Sequence, residues 1–373
     1  MKTALILSGG GARAAYQVGV LKALAELVPE SEANPFQIIC GTSAGAINAA
    51  KLATEADNFH EAVNGLEEIW STLSSEHIHQ VGYATVVKSF LKILVSFFHS
   101  GVAKGQPLSL FDNRPLFYLL KRSINMARLN TMIAKNYIHG LSINALGYTS
   151  GQNIAFFQGN ASINNWNKAR RLGLRTQLQH KHLMASSAIP AVFPSVRINR
   201  EFFGDGALRQ SAPLSVPLKM GADKIMVVGV SGNKPKMDRL KTHSSPSIAQ
   251  VFGNMLNSAF IDAMDEDIAI LERINNVVKC ISPEQQTQLG VKPVQTLVIK
   301  PSVKFDILAS EYEHHLPNSM RLLLSIVGAN KSGNGSSFAS YLLFEKAYCK
   351  KLIEIGYQDA MAQIDDIKQF MAS

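Results

Sequence analysis

The sequence predicts a layered α/β fold in which helices pack on a mostly parallel sheet. Short apolar segments typical of buried strands, at 4–7, 38–40, 224–230 and 296–300, are interleaved with segments whose apolar residues recur at helical spacing. Strands separated by helices favour parallel pairing, because each helix returns the chain to the same edge of the sheet. The 373 residues are 46% hydrophobic and 17% charged, which provides a large core and excludes a disordered chain.

The stretch from Ile38 to Asn48 places a serine between a predicted strand and a predicted helix. Its centre reads Gly-Thr-Ser-Ala-Gly, the pattern of a nucleophile elbow, in which the serine is exposed at a sharp turn. The flanking Gly41 and Gly45 let the backbone bend tightly and leave room for a substrate. The positive end of the following helix favours an oxyanion at that place. Ser43 is therefore the candidate nucleophile, although a plain strand-to-helix turn also fits these residues.

A glycine-rich turn follows the first predicted strand. Residues 8–16 read Ser-Gly-Gly-Gly-Ala-Arg-Ala-Ala-Tyr and lead into a predicted helix. The spacing Gly9-x-Gly11-x-x-Ala14 fits a dinucleotide fingerprint, but free amides at such a turn also suit an oxyanion hole. A dinucleotide site needs an acidic residue at the end of the second strand, where residues 40–43 offer none. The combination of this loop with a serine elbow favours the oxyanion hole.

A carboxylate in a glycine turn is the third element. The stretch 184–194 is predicted to run from a helix into a proline-ended loop, and Gly204-Asp205-Gly206-Ala207 comes after it. An Asp in such a turn has a structural explanation, since its side chain often accepts hydrogen bonds from turn amides. The functional alternative is a base for Ser43, because a serine hydroxyl is a poor nucleophile until a neighbouring group takes its proton.

A histidine could take the role of base instead. The Ser-Asp-His order of α/β-hydrolases would place it downstream, where His243, His314 and His315 occur. None of the three lies in a turn motif that indicates catalysis, so a triad is the less favoured alternative.

Four motifs, taken in order, resemble the patatin-like phospholipase family. They are Gly-Gly-Gly-Ala-Arg at 9–13, Gly-Thr-Ser-Ala-Gly at 41–45, Ala-Ser-Ser-Ala-Ile-Pro-Ala-Val-Phe-Pro at 185–194, and Asp-Gly-Ala at 205–207. The resemblance implies a patatin-like three-layer sandwich with residues 1–230 as the catalytic domain. It also implies a serine acyl hydrolase that cleaves fatty-acyl esters of phospholipids or lysophospholipids through an acyl-enzyme. Its dyad would be Ser43 as nucleophile and Asp205 as base.

The same resemblance assigns roles to the glycine-rich loop. It implies an oxyanion hole formed by the amides of Gly10, Gly11 and Ala12, with Gly9 and Arg13 supporting the loop. Ala14, at a position where the family often has glycine, is a mild departure that leaves this expectation in place.

Other functions remain open at this stage. They are hydrolysis of neutral lipids or small esters, acyl transfer to an acceptor other than water, and a lipid-binding regulatory role without turnover. The joint presence of the glycine loop, Ser43 and Asp205 disfavours the regulatory role. We expect no cofactor, and no metal site, because the histidines and cysteines lack metal-ligand spacing.

The charge balance predicts an anionic partner surface. With 37 basic and 28 acidic residues, the net charge is +9, and the motifs of nucleic-acid modules are absent, so a membrane surface is favoured over a nucleic acid. The three cysteines form no disulfide pattern, and no apolar run reaches the roughly 18 residues of a membrane span. These features predict a cytoplasmic protein, with peripheral contact at the inner membrane face. The oligomeric state is not predicted.

The remaining segments complete the expected architecture. Thr85–His99 is an amphipathic helix that either packs on the core or forms a lipid-contacting lid, with 101–107 as a hinge. Segments 137–146 and 153–158 form a hairpin around the turn at 147–151. Residues 231–373 form a mainly helical C-terminal extension packed on the catalytic domain, with predicted helices at 248–278, 316–327 and 338–371.

Overall fold

A computed structural model describes residues 1–79, 109–168, 171–210, 212–232, 245–326, 328 and 336–372. The predicted helix at 85–99 and its hinge lie outside the described residues, as does His243.

The strands of the described residues form a single mixed sheet. Its strands are β1 (Thr3–Leu7), β2 (Ile38–Thr42), β3 (Gly140–Gly147), β4 (Asn153–Gly159), β5 (Trp166–Lys168), β6 (Arg171–Arg175), β7 (Val196–Ile198), β8 (Glu201–Asp205), β9 (Lys224–Val228) and β10 (Gln295–Ile299). The strand order is β10-β9-β1-β2-β3-β4-β6-β5, and the hairpin of β7 and β8 attaches to β3. The strands from β10 to β3 in this order are all parallel. The predicted α/β fold with a mostly parallel central sheet is confirmed.

Helices connect these strands and cover the sheet. Before β9 they are α1 (Ala15–Ala25), α2 (Ala44–Thr54), α3 (Phe59–Thr72), α4 (Ser75–Ile78), α5 (Arg114–Ser123), α6 (Arg128–Ala134), α7 (His180–Ser186) and α8 (Ser215–Lys219). After β9 they are α9 (Ile248–Asn257), α10 (Ala263–Lys279), α11 (Pro283–Leu289), α12 (Phe305–Tyr312), α13 (Asn318–Ile326), α14 (Ser336–Leu342), α15 (Lys346–Met361) and α16 (Ile364–Ala372). A π-helical turn at Ser258–Asp262 joins α9 to α10, and short 3-10 turns lie at Gly11–Ala14, Gly206–Arg209 and Glu313–His315.

Apolar side chains lie on both faces of the sheet. In β1, Leu5 and Leu7 belong to one buried apolar cluster, while Ala4 and Ile6 belong to another. This alternation follows from the two-residue period of a strand, which directs successive side chains to opposite faces. The sheet is therefore the middle layer of three, as predicted.

The C-terminal part differs in detail from the predicted elements. The predicted helix at 338–371 is three helices, α14 to α16, separated by breaks around residues 343–345 and 362–363. The strand predicted at 296–300, in the same part of the chain, is present as β10 and pairs with β9 at one edge of the sheet. The hairpin of β3 and β4 forms as predicted, although β3 begins at Gly140 rather than at residue 137.

Helices α1 and α15 pack through glycines. A Cβ atom on Gly356 would lie 2.1 Å from the carbonyl oxygen of Tyr16, and one on Gly19 would lie 1.9 Å from that of Ile353. The two backbones therefore approach more closely than any side chain permits. This contact anchors the C-terminal helix α15 to the helix that follows the glycine-rich loop.

We expect Gly356→Ala to destabilise the fold by about 1–3 kcal/mol, because the added methyl group forces the two helices apart. Gly65→Ala in α3 is the matched control, since its Cβ would meet no backbone atom of another element but the ends of the Lys51 and Glu55 side chains. The control should change stability by less than about 1 kcal/mol, in the stabilising direction. Urea unfolding measures both, and equal stability of the two variants would contradict the tight helix contact.

Candidate active site

Ser43 lies at the turn between β2 and α2, in a backbone conformation that residues other than glycine rarely adopt. Its φ of 54° and ψ of −130° are strained for a residue other than glycine. The neighbouring glycines are required sterically, since a Cβ on Gly45 would lie 2.3 Å from the Leu7 carbonyl oxygen. On Gly41, it would lie 2.5 Å from the Cα of Ala46. The chain therefore turns sharply from β2 into α2 at Ser43.

A second serine holds this strained turn. The Ser43 amide donates a hydrogen bond of 2.8 Å to Ser186 Oγ, and the Ser186 hydroxyl donates one of 2.6 Å to the Asn144 carbonyl oxygen. Ser186 ends α7 and Asn144 lies in β3, so the bonds tie the elbow to two neighbouring elements. A strained backbone conformation persists when the surrounding structure fixes it, as these two hydrogen bonds do here.

Asp205 lies within hydrogen-bond distance of Ser43. The Ser43 hydroxyl donates to Asp205 Oδ2 at 2.6 Å, and the Ala207 amide donates to Asp205 Oδ1 at 3.0 Å. The last residue of β8, Asp205 is fixed opposite Ala145 of β3 and donates its own amide to the Ala188 carbonyl oxygen at 2.9 Å. Among the described histidines, which include His314 and His315, none hydrogen-bonds to Ser43 or Asp205.

The protein environment makes Asp205 a stronger base than an ordinary carboxylate. Asp205 is fully buried, and burial raises its pKa to about 7, although the hydrogen bonds from Ser43 and Ala207 act in the opposite direction. A base whose pKa lies near neutrality is matched to proton transfer at physiological pH.

The glycine-rich loop lies beside the nucleophile. A Cβ on Gly9 would come within 3.0 Å of the Ser43 Cβ and 2.4 Å of the Phe260 ring. Gly11 has a φ of +55°, and a Cβ there would lie 2.2 Å from the Tyr341 carbonyl oxygen. Within the described ranges, the amides of Gly10, Gly11 and Ala12 have no hydrogen-bond acceptor. Free amides next to a serine hydroxyl are the arrangement that an oxyanion hole needs.

Arg13 extends from this loop toward the C-terminal part. Its side chain is buried and hydrogen-bonds to α14, where the Ser340 Oγ accepts from Arg13 Nε at 2.8 Å. The family resemblance implies a supporting role for Arg13, but the sequence contains no indication of its partner.

An apolar cleft opens on the same serine. Its empty volume is about 600 Å³, including the space open to solvent, and it is narrow. Ser43 and Gly11 line it, and most of the other lining residues are apolar, among them Ile47, Ile69, Trp70, Leu116, Leu120, Ile189, Phe193 and Phe344. The rings of Trp70 and Phe344 stack with centroids 6.5 Å apart. A cleft lined in this way is suited to bind an apolar group.

Several site residues were missed by sequence reasoning. Ser186 lies in a stretch noted for its helix-to-loop pattern, but no local signal pairs it with Ser43. Trp70 and Phe344 come from α3 and from the break after α14, and only the fold brings them together. In the described part of the chain, no cluster of three or more His, Cys, Asp or Glu side chains could hold a metal ion. None of its helices combines the length and apolar character of a membrane span.

Ser43 lies at a turn between a strand and a helix and donates a hydrogen bond to the buried Asp205 carboxylate. On a three-layer α/β fold, this arrangement has the geometry of a serine hydrolase. A family model described as Patatin-like phospholipase matches residues 5–218. The chain belongs to the patatin-like phospholipase family.

Individual relatives match less completely. Over 53 residues the chain is 53% identical to "Lysophospholipase nte1" of Aspergillus terreus, a segment that covers 14% of this chain and only 3% of that relative. Among solved structures, VipD of Legionella pneumophila shares 12% identity at a TM-score of 0.33, covering 95% of this chain and 67% of VipD. ExoU of Pseudomonas aeruginosa, solved with SpcU, shares 15% identity at a TM-score of 0.27, covering 91% of this chain and 70% of ExoU.

Proposed function

We propose that this protein is a serine acyl hydrolase that cleaves fatty-acyl esters of phospholipids or lysophospholipids. The observation that carries the proposal is the 2.6 Å hydrogen bond from the Ser43 hydroxyl to the buried Asp205 carboxylate, made at the wall of an apolar cleft. Family membership supports a lipid ester as substrate. The relative named as a lysophospholipase supports the same substrate class.

Acylation uses the dyad directly. Ser43 Oγ attacks the ester carbonyl carbon while its proton passes to Asp205, and the carbonyl oxygen becomes an oxyanion. The amides of Gly10, Gly11 and Ala12 stabilise that charge. The bond between the carbonyl carbon and the alcohol oxygen then breaks, and Asp205 returns the proton to the departing alcohol.

Deacylation repeats these steps with water. Asp205 takes a proton from a water molecule, whose oxygen attacks the acyl-enzyme carbonyl. Collapse of the second tetrahedral intermediate releases the fatty acid, and the proton returns to Ser43 Oγ. A single carboxylate is sufficient for both half-reactions because its raised pKa lets it accept and return the proton near pH 7.

A phospholipid substrate lies in a membrane, so the enzyme has to contact a membrane surface. We propose peripheral contact with an anionic membrane surface on the cytoplasmic side, supported by the net charge of +9. In a flotation assay with anionic liposomes, protein that stayed wholly in the bottom fraction would contradict this contact.

Release of fatty acid from defined lipids tests the reaction. Vesicles of phosphatidylcholine and phosphatidylglycerol, micelles of lysophosphatidylcholine, and emulsified triacylglycerol are incubated with wild type and with Ser43→Ala, and fatty acid is quantified. We expect release from phospholipid or lysophospholipid by wild type alone. Release from triacylglycerol alone would favour the neutral-lipid alternative, and no release by a folded wild type from any of the three would contradict hydrolysis.

The cleft predicts a dependence on acyl-chain length. Ile69→Trp narrows a slot that is already tight, so kcat/KM for palmitoyl esters should fall about 10-fold or more while that for butyryl esters changes little. Ile270→Trp on the exposed face of α10 is the matched control and should leave both unchanged. Equal effects of Ile69→Trp on both chain lengths would show that the acyl chain does not occupy this cleft.

A further inference from the structure

The C-terminal part contacts the glycine-rich loop from outside the segment that the family model matches. We propose that Ser340 and Tyr341 of α14, together with Asn257 of α9, are positioning residues that fix this loop through Arg13. The proposal rests on the proposed function, in which the loop amides stabilise the oxyanion.

The Arg13 guanidinium is surrounded by these residues. Its Nε donates to Ser340 Oγ at 2.8 Å, and its Nη1 lies 3.3 Å from both Asn257 Oδ1 and the Tyr341 hydroxyl. It stacks over the Tyr341 ring at 4.0 Å, and its Nη2 lies 3.4 Å from the Ser337 carbonyl oxygen. Arg13 is only 3% exposed, and no carboxylate among the described residues pairs with it. Neutral acceptors and a ring therefore compensate the loss of water around a buried cation.

These acceptors are themselves fixed by one another. The Tyr341 hydroxyl donates to Asn257 Oδ1 at 2.9 Å, and the Ser340 hydroxyl donates to the Ser337 carbonyl oxygen at 2.6 Å. Asn257 Nδ2 donates to Ser337 Oγ at 2.8 Å, which closes the network between α9 and α14. Because each hydroxyl has its own acceptor, its lone pairs are aimed at the guanidinium.

The network acts on the loop at more than one point. The Arg13 amide donates to the Gly10 carbonyl oxygen at 3.1 Å, so the orientation of Arg13 is coupled to that of the peptide after Gly10. The Tyr341 carbonyl oxygen packs against Gly11, and the Phe260 ring packs against Gly9. The C-terminal part thus contacts the loop at Gly9, Gly11 and Arg13. Loss of the Arg13 contacts should let the amides move away from the oxyanion.

A positioning role and a purely structural role predict different kinetics. Misplaced amides weaken binding of the transition state but not of the ground-state ester, so kcat falls while KM stays constant. A purely structural role would lower the melting temperature and leave kcat of the folded fraction unchanged. Hydrogen–deuterium exchange at residues 9–14 reports the loop directly and does not depend on activity.

The experiment compares Ser340→Ala and Tyr341→Phe with wild type, on the full chain and a soluble short-chain ester. Ser340→Thr keeps the hydroxyl and serves as the rescue variant. Ser336→Ala in the same helix is the first matched control. The second is Tyr348→Phe, which removes a buried hydroxyl that donates to the Phe305 carbonyl oxygen instead. We expect kcat to fall about 10-fold in each test variant at constant KM, faster exchange at 9–14, and wild-type behaviour in both controls.

Each outcome decides the proposal. Wild-type kcat and wild-type exchange in both test variants would overturn it, as would equal losses in test and control variants. If wild type has no esterase activity, the proposed function fails, but faster exchange at 9–14 in the test variants alone would still support the positioning role. Unchanged exchange in that case would overturn it.

Discussion

Ser43→Ala is expected to lower kcat/KM for lipid esters by about 10⁶-fold, the scale on which serine hydrolases lose activity with their nucleophile. The structural reason is that the Ser43 hydroxyl is the group bonded to the buried carboxylate, beside loop amides that have no acceptor among the described residues. Removing Oγ leaves the cleft and the loop in place but removes the atom that we propose forms the acyl-enzyme. Fatty-acid release from lysophosphatidylcholine measures the loss.

Ser187→Ala is the matched control for this change. Ser187 lines the same cleft and is buried, yet its hydroxyl has no hydrogen-bond partner in the described part of the chain. Among the residues that the structure describes, no neighbouring group is placed to take the proton of the Ser187 hydroxyl, so Ser187→Ala should leave kcat/KM unchanged. Retained activity in Ser43→Ala, or an equal loss in Ser187→Ala, would contradict the assignment of the nucleophile.

Asp205→Asn is expected to lower kcat by about 10³- to 10⁴-fold, because an amide can accept the Ser43 hydrogen bond but cannot take its proton. The same carboxylate should govern the pH profile. Since burial raises the pKa of Asp205 to about 7, kcat/KM of wild type should rise with pH, reach half its maximum near pH 7, and then stay level. Steady-state rates with a soluble ester between pH 5 and pH 9 test both expectations.

The same substitution should stabilise the protein while it removes activity. The pKa of Asp205 is about 7 in the folded protein against 3.8 for the free side chain, so the folded state binds more protons between these values. Stability of wild type therefore falls as pH rises from about 4 to about 7, and the loss is complete above pH 7. An uncharged Asn escapes this loss, so Asp205→Asn should gain on the order of a few kcal/mol at pH 8 and nothing at pH 4.

Urea unfolding at both pH values measures this difference. Asp57→Asn is the control, because Asp57 forms a partly exposed ion pair with Arg128 and should gain no stability at pH 8. If Asp205→Asn is less stable than wild type at pH 8, burial of the charged carboxylate does not destabilise the folded protein, and this prediction is wrong.

The sequence was sufficient for those parts of the candidate site that have a local pattern. Ser43 follows β2 at a turn between Gly41 and Gly45, and Asp205 ends β8 between two glycines, just before the 3-10 turn at Gly206–Arg209. Both patterns are visible in a short window of sequence. Their partners depend on contacts across the chain: Ser186 lies 143 residues from Ser43, and Ser340 lies 327 residues from Arg13. No periodicity or propensity links residues so far apart. The break between α14 and α15 was missed for a related reason, since Phe344 stacks there on Trp70 and Glu345 accepts a hydrogen bond from Ser75, contacts that the local sequence does not indicate.

Covalent labelling tests the central claim most directly. Wild type, Ser43→Ala and Asp205→Asn are treated with a fluorophosphonate, and intact mass is followed over time, with peptide mapping of the product. We predict one phosphonyl group on wild type, at Ser43, no labelling of Ser43→Ala, and much slower labelling of Asp205→Asn. A folded wild type that stays unlabelled, or a Ser43→Ala variant labelled as fast as wild type, would contradict the assignment of Ser43 as the nucleophile.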